Sequence, residues 1–435
     1  MSGLQLAIAQ GKRIGELTAD ERGRLLDRGR AQNAAVTRTV SELVEAVRRD
    51  GDAALREQAF RFDGVHELRI EVPRALWRQA LDELDPAVRA ALQTAAANIA
   101  TFHRAQLPET IEIEPQPGLK LGRRADALER VAVYAPGGRA AYPSSVLMGV
   151  VPARVAGVGE VVVCSPASAH GLPSATVLAA CEIGNADRVF AIGGAGAIAA
   201  VAYGTTTVPR VQKVVGPGNA YVTEAKRQLN GIVAIDCPAG PSEVLVLADE
   251  TADARRVAYE LLAQAEHDPD AASVLASTSA ELITQVASLL AQEIGTQPRR
   301  EIIAQALRSA GALLLADSVP ELLDFNRQYA PEHLALYVRD PRAVLRDVVN
   351  AGTVFLGDAS SVAFGDYLTG ANHVLPTGTL ARAYSGLSTL DFLRWTTYQE
   401  LDAERAAQFA GITAVLAEAE GLPAHAGAAR LRGVL

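Results

Sequence analysis

Three cysteines among 435 residues, Cys164, Cys181 and Cys237, form no close pair and no C-x-x-C. Neither a disulfide framework nor a thiolate metal site therefore organises the chain, and the usage fits a reducing compartment, with the cytoplasm the expected location. No apolar run reaches the roughly 18 uncharged residues that a membrane-spanning helix takes. The start, MSGLQLAIAQGKRIGEL, lacks the basic, long apolar and small-residue stages of a secretory leader. Aromatic residues are 5% of the chain, and lysine occurs only at 12, 120, 213 and 226. The net charge of −9 is spread along the chain without a basic block, which argues against nucleic acid as a partner.

What is present is an apolar chain (49% hydrophobic) long enough for two or three domains. Residues 3–10 read as an arm or short helix, and 18–49, 52–61, 74–83 and 86–106 as helices, with a short strand near 68–72. From 130 onward, β-branched runs ending in Gly or Pro (ERVAVYAPGG, VGEVVVCSP, ADRVFAIGG, VQKVVGPG) alternate with helices at 144–156, 173–184, 195–203 and 218–229. A second set follows: PSEVLVLAD, ASVLAST, GALLLA, HLALYV and TVFLG, with helices at 251–266, 279–294, 299–309, 318–328 and 342–348. Strands alternating with helices mean an α/β fold with parallel sheets covered on both faces. The breaks fall near 131 and 240, the order of elements suggests a duplicated unit, and the tail from about 388 reads as helical over 391–405 and 408–419.

Candidate chemistry gathers late in the chain, where four of the seven histidines lie. Gln264 and His267 stand three apart at the end of a helix closed by Asp268-Pro269, so both can reach one ion; solvated side chains at a frayed helix end are the plain alternative. Glu332 and His333 stand between a helix broken by Pro331 and the strand LALYV, where a carboxylate and an imidazole can share proton transfer. A surface Glu beside a capping His fits the same spacing. Asp366 and His373 share the segment SSVAFGDYLTGANHVLPTG, which reads as a functional loop, although an Asp can simply brace a turn. His425 follows Glu420 by five residues near the C-terminus. Imidazole, carboxylate and carboxamide donors without thiolate suit zinc or a similar divalent cation.

The nucleotide signals are weaker. Gly194-Ala-Gly-Ala-Ile-Ala199 fits a dinucleotide loop between strand and helix, but no acidic residue follows at the place that would hold a ribose. Gly216-Pro-Gly-Asn219 also leads from a strand into a helix. Tight-turn glycines explain either one. Cys237 has no basic neighbour within four positions and reads as an inert core thiol.

Eight stretches in family order make the chain resemble the histidinol dehydrogenases nearly end to end. They are GDAALREQAFRFDGV, VYAPGGRAAYPSSVLMGVVPARVAGV, GPGNAYVTEAKRQ, DCPAGPSEVLVLAD, ELLAQAEHDPDA, APEHLAL, GDYLTGANHVLPT and EGLPAHAGAARLR. The resemblance implies two incomplete Rossmann-like domains with small helical appendages at both ends. It divides the chain into an arm (1–29), a metal-bearing and catalytic domain (30–130 plus 240–387), an NAD-side domain (131–239) and a tail (388–435) exchanged between subunits of a homodimer. It implies one zinc per subunit, with manganese the alternative, bound by Gln264, His267, Asp366 and His425. Glu332 and His333 are then the acid–base pair. Ser242, His373 and Glu420 match substrate-contacting positions, together with His333 and the metal ligands, and Tyr134 and Asn219 match NAD-contacting ones. Glu420 and His425 are expected to complete the partner's site. Gly196 departs from the family, which often has glutamine there in contact with NAD.

The implied reaction is four-electron oxidation of L-histidinol to L-histidine through the aldehyde, using two NAD+, at the end of histidine biosynthesis. A dehydrogenase of another polar alcohol, such as a sulfonated diol, is the near alternative, and a zinc hydrolase in which Glu332 activates water is the distant one.

Overall fold

Two six-stranded sheets organise the described residues, which are 5–28, 34–137, 141–238 and 240–433 of a computed structural model. One sheet runs through Glu71–Val72, Arg188–Phe190, Glu160–Cys164, Arg130–Tyr134, Lys213–Val215 and Ala234–Ile235. The other runs through Lys12–Arg13, Gly311–Leu315, Ala272–Ser277, Glu243–Ala248, His333–Tyr337 and Thr353–Leu356. Every strand pair is parallel except Glu71–Val72 with Arg188–Phe190. Apart from the two-residue strands Glu71–Val72 and Lys12–Arg13, each sheet lays its successive strands out as third, second, first, fourth, fifth. The duplication suggested by element order is thus a repeat of topology. In each sheet the order reverses between first and fourth strands, the place where helices leave to opposite faces and a crevice opens.

Period-two alternation sorts the strand residues between the faces. Val244, Val246, Leu275, Leu313 and Ala335 pack on the side of helices Ala254–Ala265, Ala280–Glu293 and Arg300–Ala310. Leu245, Leu247, Val274, Leu314, Leu334 and Leu336 face the other side, against Phe325 and Tyr329 of helix Val319–Tyr329 and Leu25 of helix Ala19–Leu26. With both faces covered, these strands read as unbroken apolar runs.

Four expectations change. The helix over 18–49 is two helices, Ala19–Leu26, capped reciprocally by Thr18 and Glu21, and Ala34–Asp50; 29–33 lie outside the described residues. The arm begins at residue 5 of the described chain, 1–4 lying outside it, and supplies an edge strand with Ile8 and Ile14 buried. Residues 34–104, grouped above with 240–387, instead contribute Val40, Leu55, Trp77 and Ile99 to the core around the Arg130–Tyr134 sheet. Finally, Leu393–Leu401 is a strand and not part of a helix over 391–405. It pairs antiparallel with Leu119–Ala127, which pairs with Ile111–Gln116, and the ring of Tyr398 lies over Gly122 where a Cβ would collide with it. The Trp-Thr-Thr-Tyr run there is β-favouring. The tail then continues as helices Ala403–Ala419 and Pro423–Arg430, 434–435 lying outside the described residues.

Candidate active site

Ala330, in the left-handed conformation at φ 49°, ends helix Val319–Tyr329 and turns the chain so that Glu332 immediately precedes strand His333–Tyr337. That strand lies beside Glu243–Ala248 with Val244 opposite His333. Both acid–base candidates are therefore at the amino ends of the strands, at the crossover between first and fourth, and not at the carboxyl ends where open α/β sheets usually bind ligands. Glu332 is 5% and His333 4% exposed.

One residue bonds to both. The Glu243 backbone N–H donates to Glu332 Oε2 (2.9 Å), and the Glu243 carbonyl accepts from His333 Nδ1–H (3.0 Å). A carbonyl only accepts, so His333 carries its proton on Nδ1 and leaves Nε2 as a lone pair. Nε2 is buried without a partner and stands 3.7 Å from Asp366 Oδ1. Two acceptors facing each other, one of them fully buried, call for a donor or cation between them. Burial pushes Glu332 well above the usual carboxylate range, and the nearby Glu243 and Asp366 carboxylates add to this, while the Glu243 N–H and the Ser242 hydroxyl oppose it. Burial also lowers His333, against the pull of Asp366.

Asp366 lies on the short helix Val362–Tyr367, capped by Ser361, and not in a loop; its Gly365 masked the helical signal. His373 Nδ1–H donates to the Asp366 carbonyl (2.8 Å), which leaves its Nε2 to accept from the Ser145 hydroxyl (3.2 Å). Burial lowers His373, and the His267 ring is close enough to push both His373 and His333 further down. Gln264 is 3% exposed near the end of helix Ala254–Ala265, whereas His267, just past it, is exposed. The structure therefore brings together Ser242, Glu332, His333, Asp366 and His373, with His267 nearby. It leaves Glu420 and His425 exposed on the tail.

In the other sheet, Tyr134 ends the first strand and its hydroxyl accepts from the Gly194 N–H (3.1 Å), which ties it to the head of helix Gly194–Tyr203. Gly216 follows the fourth strand at φ 112°, and a Cβ there would lie 2.2 Å from the Tyr134 carbonyl oxygen, so only glycine fits. Lys226 Nζ donates to the Gly216 carbonyl and to Asp236 (2.6 Å), and Asp236 accepts from the Gly216 N–H (2.8 Å). Asn219 caps helix Ala220–Leu229 by accepting from the N–H groups of Tyr221 and Val222 (3.0 and 3.2 Å). The two glycine loops thus both touch Tyr134 at the carboxyl ends of the strands, the end at which open α/β sheets bind ligands. At Gly196, a Cβ would lie 2.2 Å from Gln58 Oε1; Gln58, held by its Nε2–H on the Leu43 carbonyl (3.2 Å), fills the space a side chain at 196 would take. Burial pushes the Cys237 thiol up to about 12, in keeping with an inert core residue.

Against this geometry, a sequence model of the family described as histidinol dehydrogenase matches residues 26–433. The chain belongs to the histidinol dehydrogenase family. It is 47% identical over 422 residues to the histidinol dehydrogenase of Methanosarcina mazei, covering 97% of each chain. It is 47% identical over 395 residues to that of Xylella fastidiosa, covering 90% of this chain and 91% of the relative. The crystal structure of histidinol dehydrogenase from Elizabethkingia anophelis superposes with a TM-score of 0.91 at 34% identity, covering 96% of each chain. As a histidinol dehydrogenase the protein is an oxidoreductase of histidine biosynthesis, and its fold is the α/β arrangement of parallel sheets expected above. Among the described residues no helix is long and apolar enough to cross a membrane.

The donors fit the divalent metal that histidinol dehydrogenases use. The Gln264 amide nitrogen is buried without a partner, and a half-turn of the carboxamide presents oxygen there instead. Asp366 and His267 add carboxylate and imidazole, a borderline set free of thiolate. Among the described residues no three His, Cys, Asp or Glu side chains converge as a metal site within the chain. Sequence reasoning missed Glu243 and Ser145. The first had a signal, an acidic residue heading an otherwise apolar strand; the second had none beyond its place in a helix start.

Proposed function

We propose that the chain oxidises L-histidinol to L-histidine through the aldehyde, with two NAD+ reduced per histidine and Glu332 and His333 as the acid–base pair. The observation that carries the reading is the buried, unpartnered lone pair of His333 Nε2 facing Asp366. Gln264, His267 and Asp366, with His425, would hold the divalent metal, zinc or manganese; Tyr134 and Asn219 would face NAD. When bound, the metal would hold the amino and imidazole nitrogens of the substrate as a template, and NAD+ would accept hydride.

His333 Nε2 takes the hydroxyl proton as the alcohol carbon loses hydride, giving the aldehyde. Its lowered proton affinity keeps it neutral and ready near pH 7. Glu332, once deprotonated, takes a proton from the water that attacks the aldehyde carbon, and His333 serves again as the hydrate is oxidised. Ser242, His373 and Glu420 orient the substrate beside the metal ligands.

The unit that acts is a homodimer in which Glu420 and His425 complete the partner's site. Two observations support this. Both residues are exposed in their own chain, and the tail carries a broad apolar face with Ile412, Val415, Leu416 and Leu431 all more than 60% exposed. The three free, buried cysteines fit a cytoplasmic enzyme. Purified, metal-loaded protein given L-histidinol and NAD+ tests the reading: NADH and histidine should appear together. Turnover of a different polar alcohol alone would move the substrate.

A further inference from the structure

Both acid–base residues hang on the backbone of one residue, so the placement of Glu243 sets the placement of each. Its N–H and its carbonyl are spoken for by Glu332 and His333. Its side chain, 2% exposed, is held on two sides. Arg28 donates to it from Nε (3.1 Å) and from Nη2, and the Gly378 N–H donates to the second carboxylate oxygen. Arg28 reaches further. Its Nη2 donates to the Tyr329 carbonyl (2.9 Å), its Nη1 donates to the Leu25 carbonyl, and its guanidinium lies 3.4 Å over the Tyr329 ring. Tyr329 ends the helix that delivers Glu332 and His333.

We infer that Arg28 and Glu243 are positioning residues for this reaction: their buried fork locks the peptide carrying Glu332 and His333 to the end of the helix that precedes them. The inference rests on the acid–base reading above. A buried ion pair is a poor source of stability, since well-packed apolar residues often serve as well. Here the pair joins four segments, the end of the first helix, the end of helix Val319–Tyr329, the start of the central strand and the loop at Gly378, around the residue that fixes the His333 tautomer. The planar fork of arginine can meet the carboxylate, two carbonyls and an aromatic face at once, which a lysine ammonium cannot. Losing the fork lets the Glu243 peptide shift, and a shift of about 1 Å in a reacting group costs on the order of 100-fold in rate. Of the proposed substrate and metal contacts only Ser242 and His333 adjoin this peptide, the others standing on separate segments, so the loss falls mainly on kcat.

The test is steady-state kinetics of R28A, R28K and E243Q in the metal-loaded enzyme, with E332Q and H333N beside them. R28A strands a buried carboxylate and can cost folding, so thermal melts are recorded and R28K and E243Q keep the test open. The expected result is a kcat lower by about 100-fold in R28A, with KM for histidinol within about threefold. R28K and E243Q fall between R28A and wild type, and added guanidinium restores R28A at least severalfold. A merely structural arginine would give activity that tracks the folded fraction, with no such rescue. Folded R28K and E243Q with wild-type kcat, or losses confined to KM, overturn the inference. If E332Q and H333N lose kcat while these two do not, only the inference falls. If E332Q and H333N also keep wild-type kcat, the acid–base reading fails with it.

Discussion

Replacing Glu332 by glutamine should split the reaction in two. In the proposed reaction the carboxyl serves only the hydration of the aldehyde, so the first hydride should leave at the ordinary rate and the second should not follow. Removing a positioned general base costs about 10²- to 10⁴-fold, which is about 2.7–5.4 kcal/mol of barrier. Stability should not fall with it. Burial and the neighbouring carboxylates already disfavour the charge on Glu332, and the glutamine carbonyl can still accept the Glu243 N–H. Rapid mixing of E332Q with L-histidinol and excess NAD+, followed at 340 nm, should show a burst of one NADH per active site and then a phase slowed by that factor. The melting temperature should match or exceed that of wild type. Equal loss of both steps, or two NADH at the wild-type rate, would refute the assignment.

Mixing H425N with E332Q should restore activity that neither variant has alone. In a symmetric dimer with exchanged tails, random re-pairing leaves about a quarter of the sites with a sound body and a sound tail. No recovery after subunit exchange would mean that the tail serves its own chain. G216A should raise KM for NAD+ at least tenfold while leaving KM for histidinol nearly unchanged, since the added methyl strikes the Tyr134 carbonyl and forces the loop to move; equal kinetics would contradict the loop's role. Stability should decline on acidification below pH 6.5, the ordinary histidine value from which burial lowers His103. A histidine held neutral in the fold binds fewer protons than in the unfolded chain, so stability is complete above that value and is lost as pH falls toward the depressed one. H103N should flatten the decline measured by urea unfolding between pH 7 and pH 5; an unchanged slope would exclude His103 as a contributor.

Much of this was legible in the residues. Parallel strands buried on both faces announce themselves as apolar runs, and PSEVLVLAD and HLALYV fall where the paired strands Glu243–Ala248 and His333–Tyr337 lie. The Leu393–Leu401 strand was misread because it is half exposed and its partners lie about 270 residues away, so nothing local fixes its period. Tertiary packing likewise moved 34–104 to the other sheet: a helix's apolar stripe says that it is buried, not against what. The candidate residues were all visible as residue types, yet spacing could not say that Glu243 holds Glu332 and His333 together, because that link is made by backbone. Nor could it show that Gln58 occupies the space beside Gly196.

The most direct test of the whole account is the stoichiometry of NADH and histidine from L-histidinol, with and without a chelator. Two NADH per histidine, loss of both on chelation, and recovery with zinc or manganese are expected. One NADH with the aldehyde as final product, or turnover that is indifferent to chelation, would contradict it.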